Sequence, residues 1–195
     1  MSTIVEILEA HDVHGFEKLG GTDKGTIHSY TDAYERLLAP YKGKSINLLE
    51  VGVQYGGSSL LWHDYLPESK LALVDVWDQV NPKIFESMDS SRYKFYVADA
   101  YTDETAATIQ QEWADGFDVA IDDGPHTLNS QILFIQRYLP QVKEGGILII
   151  EDIQDYSHME ILRTITPDEY KNNIEIVDLR RIKQRYDDLM FVIRK

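Results

Sequence analysis

Cysteine is absent from the 195 residues. Disulfides, thiolate metal ligands and thiol nucleophiles are excluded with it. Long apolar runs are absent too: none approaches the roughly 20 residues that span a bilayer, so a membrane is not an expected partner. Positive charge is scarce. The 19 Lys and Arg are outnumbered by 33 Asp and Glu, a net charge of −14, whereas a nucleic-acid binder needs a basic stripe to neutralise phosphates. The one basic cluster, Arg180, Arg181, Lys183 and Arg185, reads as the solvated tip of a hairpin. The first residues, MSTIVEILEAHD, lack the basic region of a signal peptide, which makes the cytoplasm the expected compartment. There is no internal repeat and no low-complexity tract.

What is present is alternation. Residues 3–10 carry Ile4, Val5, Ile7 and Leu8 on a short helical face. Residues 16–27 are polar and glycine-rich, a loop; 29–39 read as a helix that Pro40 terminates. Strand candidates follow at 46–51, 71–76, 93–97, 118–121 and 147–151, with helices expected at 58–65, 82–88, 103–113 and 128–139. Most of these strands are nearly continuous apolar runs, the pattern of a sheet covered on both faces. Past a further helix at 159–165, strands at 174–179 and 189–193 form an antiparallel hairpin. The expected fold is a single doubly wound, mostly parallel, seven-stranded α/β sheet closed by a C-terminal antiparallel hairpin.

The richest segment is NLLEVGVQYGGSSLL, residues 47–61: a strand, a glycine turn, a helix. Such turns let a ligand approach the backbone beside a helix N-terminus. The spacing Glu50-x-Gly52-x-x-x-Gly56 differs from the dinucleotide fingerprint G-x-G-x-x-G. Asp75 closes the next strand, where a carboxylate accepts both ribose hydroxyls, and Asp99 closes the third, where adenine contacts would lie. Two later strand ends carry Asp122-Asp123-Gly124-Pro125-His126 and Glu151-Asp152. Neighbouring strands would bring Asp123, Glu151 and Asp152 around one point. Three carboxylates form a hard, oxygen-rich site suited to Mg²⁺, Mn²⁺ or Ca²⁺, and a cation would relieve their mutual repulsion. Imidazole as a side-chain type changes charge near neutrality, which makes His126 the candidate general base.

These features resemble the class I S-adenosylmethionine-dependent methyltransferases, Rossmann-like proteins whose parallel sheet ends in such a hairpin. Within them, Glu-x-Gly-x-x-x-Gly-Gly-Ser before Trp62, then Asp-Asp-Gly-x-His, then Glu-Asp-Ile, is similar to the macrolide sugar O-methyltransferases and the cephalosporin hydroxylase-like group. Gln54 and Pro125 depart from the usual glycine and serine. The resemblance implies S-adenosylmethionine held by Glu50, Gly52, Gly56, Ser58, Asp75, Asp99 and Asp122. It implies Mg²⁺, or another hard divalent cation, on Asp123, Glu151 and Asp152, with Asp123 and His126 catalytic and His126 the base. It further implies residues 41–195 as the methyltransferase domain, with 1–40 supplying N-terminal helices and a covering loop; Gly21-Thr22-Asp23-Lys24 with His28 and Tyr30 is similar to a segment preceding the first strand. The expected partner is a small hydroxylated acceptor, a sugar or glycosylated molecule, in a homo-oligomer. A catechol-type acceptor, a non-catalytic cofactor-binding accessory role and a dehydrogenase stand as alternatives.

Overall fold

The computed structural model of the protein describes residues 2–15 and 20–195; residues 16–19 of the expected loop lie outside the described residues. Helix α1 (Ile4–Ala10) starts at a capping box in which the Thr3 hydroxyl accepts from the Glu6 N–H and the Glu6 carboxylate accepts from the Thr3 N–H, satisfying two otherwise orphaned donors. Helix α2 (Thr31–Leu38) follows. The sheet then begins: β1 (Asn47–Val51), α3 (Gly57–Tyr65), β2 (Lys70–Asp75), α4 (Pro82–Ser87), β3 (Tyr93–Val97), α5 (Asp103–Glu112), β4 (Phe117–Asp122), α6 (Leu128–Tyr138) and β5 (Val142–Ile150). Helix α7 (His158–Ile165), β6 (Ile174–Asp178), the single turn α8 (Arg180–Lys183) and β7 (Leu189–Arg194) complete it. Among the described residues no helix is long and apolar enough to cross a membrane.

The seven strands lie in the order β3-β2-β1-β4-β5-β7-β6. The first five are parallel, and β7 runs antiparallel to both β5 and β6. The expected sheet is therefore the observed one. Successive strand residues point to opposite faces, so Leu48 joins a core with α1, α2 and α3 through Leu8, Tyr34 and Trp62. Leu49 joins another with α5, α6 and α7 through Ile109, Phe134 and Leu162.

Two local differences have clear causes. Strand β5 begins at Val142 rather than at 147: it runs on through Gly145, with φ +78°, and Gly146, across a register shift against β4. The basic cluster is not merely a solvated tip. The Lys183 ammonium donates to the carbonyls of Gly25 (2.6 Å), Thr26 (2.8 Å) and His28 (2.6 Å), fastening the segment before α2.

Register places the chemistry. Val51 lies opposite both Val74 and Asp122, and Asp122 lies opposite Ile150. The residues just beyond, Gly52, Asp75, Asp123 and Glu151, therefore share one edge of the sheet, at the reversal of strand order where α/β proteins bind ligands. Gly52 is required there. Its φ is +89°, and a Cβ on it would fall 1.9 Å from the Asp123 carbonyl oxygen. Gly52→Ala is expected to cost more than about 2 kcal/mol, seen in thermal denaturation as a Tm lower by about 4–8 °C.

Candidate active site

A cavity of about 430 Å³ opens at that edge, within the roughly 300–1,000 Å³ of small-molecule sites. Its walls are the turn at residues 51–54, the ends of β2 and β3, residues 123–126, Asp152, and residues 21–23 of the segment before α2. Among the described residues, five aspartates (Asp23, Asp75, Asp99, Asp123 and Asp152) line it, and no Lys or Arg does. Such a lining disfavours the pyrophosphate of a dinucleotide and suits a cationic ligand.

Of the expected cofactor residues, Gly52, Ser58, Asp75 and Asp99 line the cavity, and Glu50, Gly56 and Asp122 do not. Asp75 braces the turn: its Oδ2 accepts from the N–H of Val53 (2.9 Å) and Gln54 (2.8 Å), and its Oδ1 from that of Trp77 (3.0 Å). A carboxylate has about four acceptor positions, so acceptor capacity remains. Glu50 is fully buried and accepts from Ser59 Oγ (2.6 Å) and Trp62 Nε1 (2.7 Å), pinning α3 to β1. Gly56, at φ +95°, caps α3 against Val80 and Ile84. Asp122 is buried and accepts from the Tyr101 hydroxyl. Gln54 takes a left-handed conformation at φ +49°, so the turn forms without the usual glycine.

Asp123, His126 and Asp152 converge, each offering a ligand atom within 4.8 Å of the others. His126 Nε2 lies 3.6 Å from Asp152 Oδ2. His126 (φ +55°) and Asp152 (φ +54°) are both left-handed, a conformation that costs energy in residues with a side chain and clusters at functional sites. Burial, and then the neighbouring Asp123 charge, raise the Asp152 pKa to about 6. Glu151 does not join this group. It is buried beside Asp152 but turned inward, with its two oxygens on Lys24 Nζ at 2.8 and 2.7 Å and the Tyr34 hydroxyl donating to it.

Four residues of the segment before α2 and of α2 itself thus reach the acid cluster. Lys24 is buried and also donates to Asp123 Oδ2 at 2.6 Å. Burial opposes its charge, but Asp123, Glu151 and Glu50 outweigh that and hold its pKa well above the ordinary lysine value. Tyr30 donates to Asp152 Oδ1 at 2.5 Å. Burial, reinforced by the nearby acids, pushes the phenols of Tyr30 and Tyr34 up, so both remain donors. His28 Nδ1 sits 2.8 Å from Asp188 and 3.2 Å from Asp152. Lys24, His28 and Tyr30 stand out in the sequence as part of the segment similar to one preceding the first strand, but nothing local to them names their acidic partners; Tyr34 carries no signal beyond a helical position.

Comparisons with known proteins bear on this geometry. A family model described as a methyltransferase domain matches residues 49–153. The chain is 28% identical over 156 residues to the 8-demethyl-8-alpha-L-rhamnosyl tetracenomycin-C 2'-O-methyltransferase of Streptomyces olivaceus, covering 75% of this chain and 39% of that protein. It is 28% identical over 137 residues to the mycinamicin VI 2''-O-methyltransferase of Micromonospora griseorubida, covering 66% and 32% respectively. The chain therefore spans roughly a third of the length of these relatives. Among solved structures, the mycinamycin-pathway methyltransferase MycE in complex with Mg, SAH and mycinamycin VI superposes with a TM-score of 0.74 at 20% identity, over 100% of this chain and 53% of that one. At that identity the likeness is one of fold.

The buried Asp122 gives a pH signature. Burial, opposed by the Tyr101 hydrogen bond, raises its pKa from 3.8 to about 7. A carboxyl whose folded pKa is raised contributes stability that is complete below the unfolded pKa and is lost as pH rises through the folded one. Asp122→Asn, which stays neutral, should match the parent Tm near pH 4 and exceed it progressively towards about pH 8. Thermal melts across that range measure the divergence.

Proposed function

The chain belongs to the methyltransferase domain family whose model it matches over residues 49–153, and from that membership we propose an S-adenosylmethionine-dependent O-methyltransferase acting on a sugar hydroxyl of a glycosylated small molecule. The observation that carries the reading is the convergence of Asp123, His126 and Asp152 on the wall of an aspartate-lined cavity. The acceptor class is supported by the relatives named as sugar O-methyltransferases of tetracenomycin and mycinamicin compounds. Cofactor and cation are supported by the fold neighbour whose complex contains Mg and SAH.

The cofactor supplies a methyl group already activated on a cationic sulfur. The cavity complements it: the backbone turn and Ser58 form one wall, Asp75 has acceptor capacity for a ribose hydroxyl, and Asp99 closes the side proposed for adenine. The aspartates favour the positive sulfonium over neutral analogues. Residues 21–23 cover the cavity from the N-terminal side, limiting water and helping to hold an acceptor in line.

The donor set fits a hard divalent cation, with Asp123 and Asp152 as its carboxylates; Mg²⁺ commonly takes only one or two carboxylates and fills its other positions with oxygen ligands. Such an ion supplies Lewis acidity that lowers the pKa of an acceptor hydroxyl. His126, half-buried at the cavity wall, takes the hydroxyl proton at an imidazole nitrogen. Asp152, 3.6 Å from its Nε2, then stabilises the imidazolium.

His126→Ala is expected to lower methyl transfer about 100- to 10,000-fold, the range of a general base, while leaving Mn²⁺ affinity and S-adenosylhomocysteine affinity intact. Loss of Mn²⁺ affinity in that variant would make His126 a ligand instead. Asp123→Asn should abolish chelator-sensitive transfer. Mass spectrometry of products from a panel of glycosides and simple catechols tests the acceptor; turnover confined to catechols would sink the sugar assignment.

A further inference from the structure

The resemblance implies three carboxylates for the cation, yet Glu151 already holds one. Lys24 and Glu151 each have 1% of their side-chain surface exposed. An ammonium has three donors, and three hydrogen bonds leave Lys24 Nζ: to Asp123 Oδ2 and to both oxygens of Glu151. The Tyr34 hydroxyl donates to Glu151 as well. Glu151 is thus engaged on both oxygens and sealed from the cavity, which it does not line. Asp123 is different: one oxygen meets Lys24, and its side chain remains 21% exposed. A divalent cation reaching Glu151 would have to displace a buried ammonium or sit beside it, and like charges in a buried site repel strongly.

Resting on the cation site of the preceding reading, we propose that Lys24 is a built-in counterion that withholds Glu151 from the divalent cation, leaving Asp123 and Asp152 as its carboxylate ligands. Lys24 is then a positioning residue that sets cation affinity. It stands directly beside residues 21–23 of the cavity wall, so the same ammonium that neutralises Glu151 also fastens that wall to the ends of β4 and β5.

A charge-balanced double-mutant cycle tests this, with Mn²⁺ as the probe and free Mn²⁺ read by electron paramagnetic resonance on the full chain. Lys24→Met with Glu151→Gln removes one positive and one negative charge at nearly constant shape. If Glu151 is withheld, the double variant binds Mn²⁺ within about threefold of the parent. Lys24→Met alone frees Glu151 and binds at least about tenfold more tightly, a gain that adding Glu151→Gln erases. A loss of about tenfold or more in the double variant would make Glu151 a ligand and overturn the proposal; so would unchanged or weaker binding by a folded Lys24→Met. Should Lys24→Met alone fail to fold, the neutral double variant still decides. A parent chain that binds no Mn²⁺ overturns the cation reading itself, an outcome distinct from a parent that binds and a double variant that does not.

Discussion

Negative charge is crowded at one edge of this sheet, and its neutralisation organises the molecule. Strands β1, β2, β4 and β5 each deliver carboxylates there, because the parallel register aligns their C-terminal ends. A buried carboxylate needs partners or it protonates. Each acid finds its own: Ser59 and Trp62 for Glu50, three backbone N–H groups for Asp75, Tyr101 for Asp122, Lys24 and Tyr34 for Glu151, Tyr30 and His28 for Asp152. Asp123, whose partner is also Lys24, and Asp152 belong both to this network and to the convergent trio at the cavity.

The N-terminal segment is therefore part of the site. Lys24, His28 and Tyr30 reach into the acid cluster, and residues 21–23 face the cavity. The segment is fixed from the other side by Lys183 through the carbonyls of Gly25, Thr26 and His28. Helix α2 continues the arrangement: Tyr34 stacks obliquely on Trp62, with ring centroids 4.7 Å apart, so the aromatic that braces Glu151 packs on the one that braces Glu50. Core packing and charge neutralisation are the same set of contacts viewed from two directions.

Strain concentrates at the same place. Of the five described non-glycine residues with positive φ, Gln54, His126 and Asp152 line the cavity. Holding a side chain in that region costs of order 1–3 kcal/mol, sustained here by the surrounding hydrogen bonds. The reward is direction: His126 and Asp152 face each other across the cavity wall rather than following the strands into the turns.

Much of this was legible in the amino-acid order. Apolar runs broken by Gly52, Gly56 and Gly57 specify strand, turn and helix through local sterics, and five such units in alternation leave few topologies. The placement of acids at strand ends follows from the same local pattern. That pattern does not tell Glu50 and Asp122, which are buried and do not line the cavity, from the acids that do. What sequence order alone could not decide is which charge neutralises which. Lys24 and Glu151 are 127 positions apart, and nothing local to either residue encodes their meeting. Their pairing is set by the packing of α2 on the sheet and by burial, which makes an unpaired charge intolerable. Only the tertiary structure therefore separates the acids sealed within the fold from those that line the cavity.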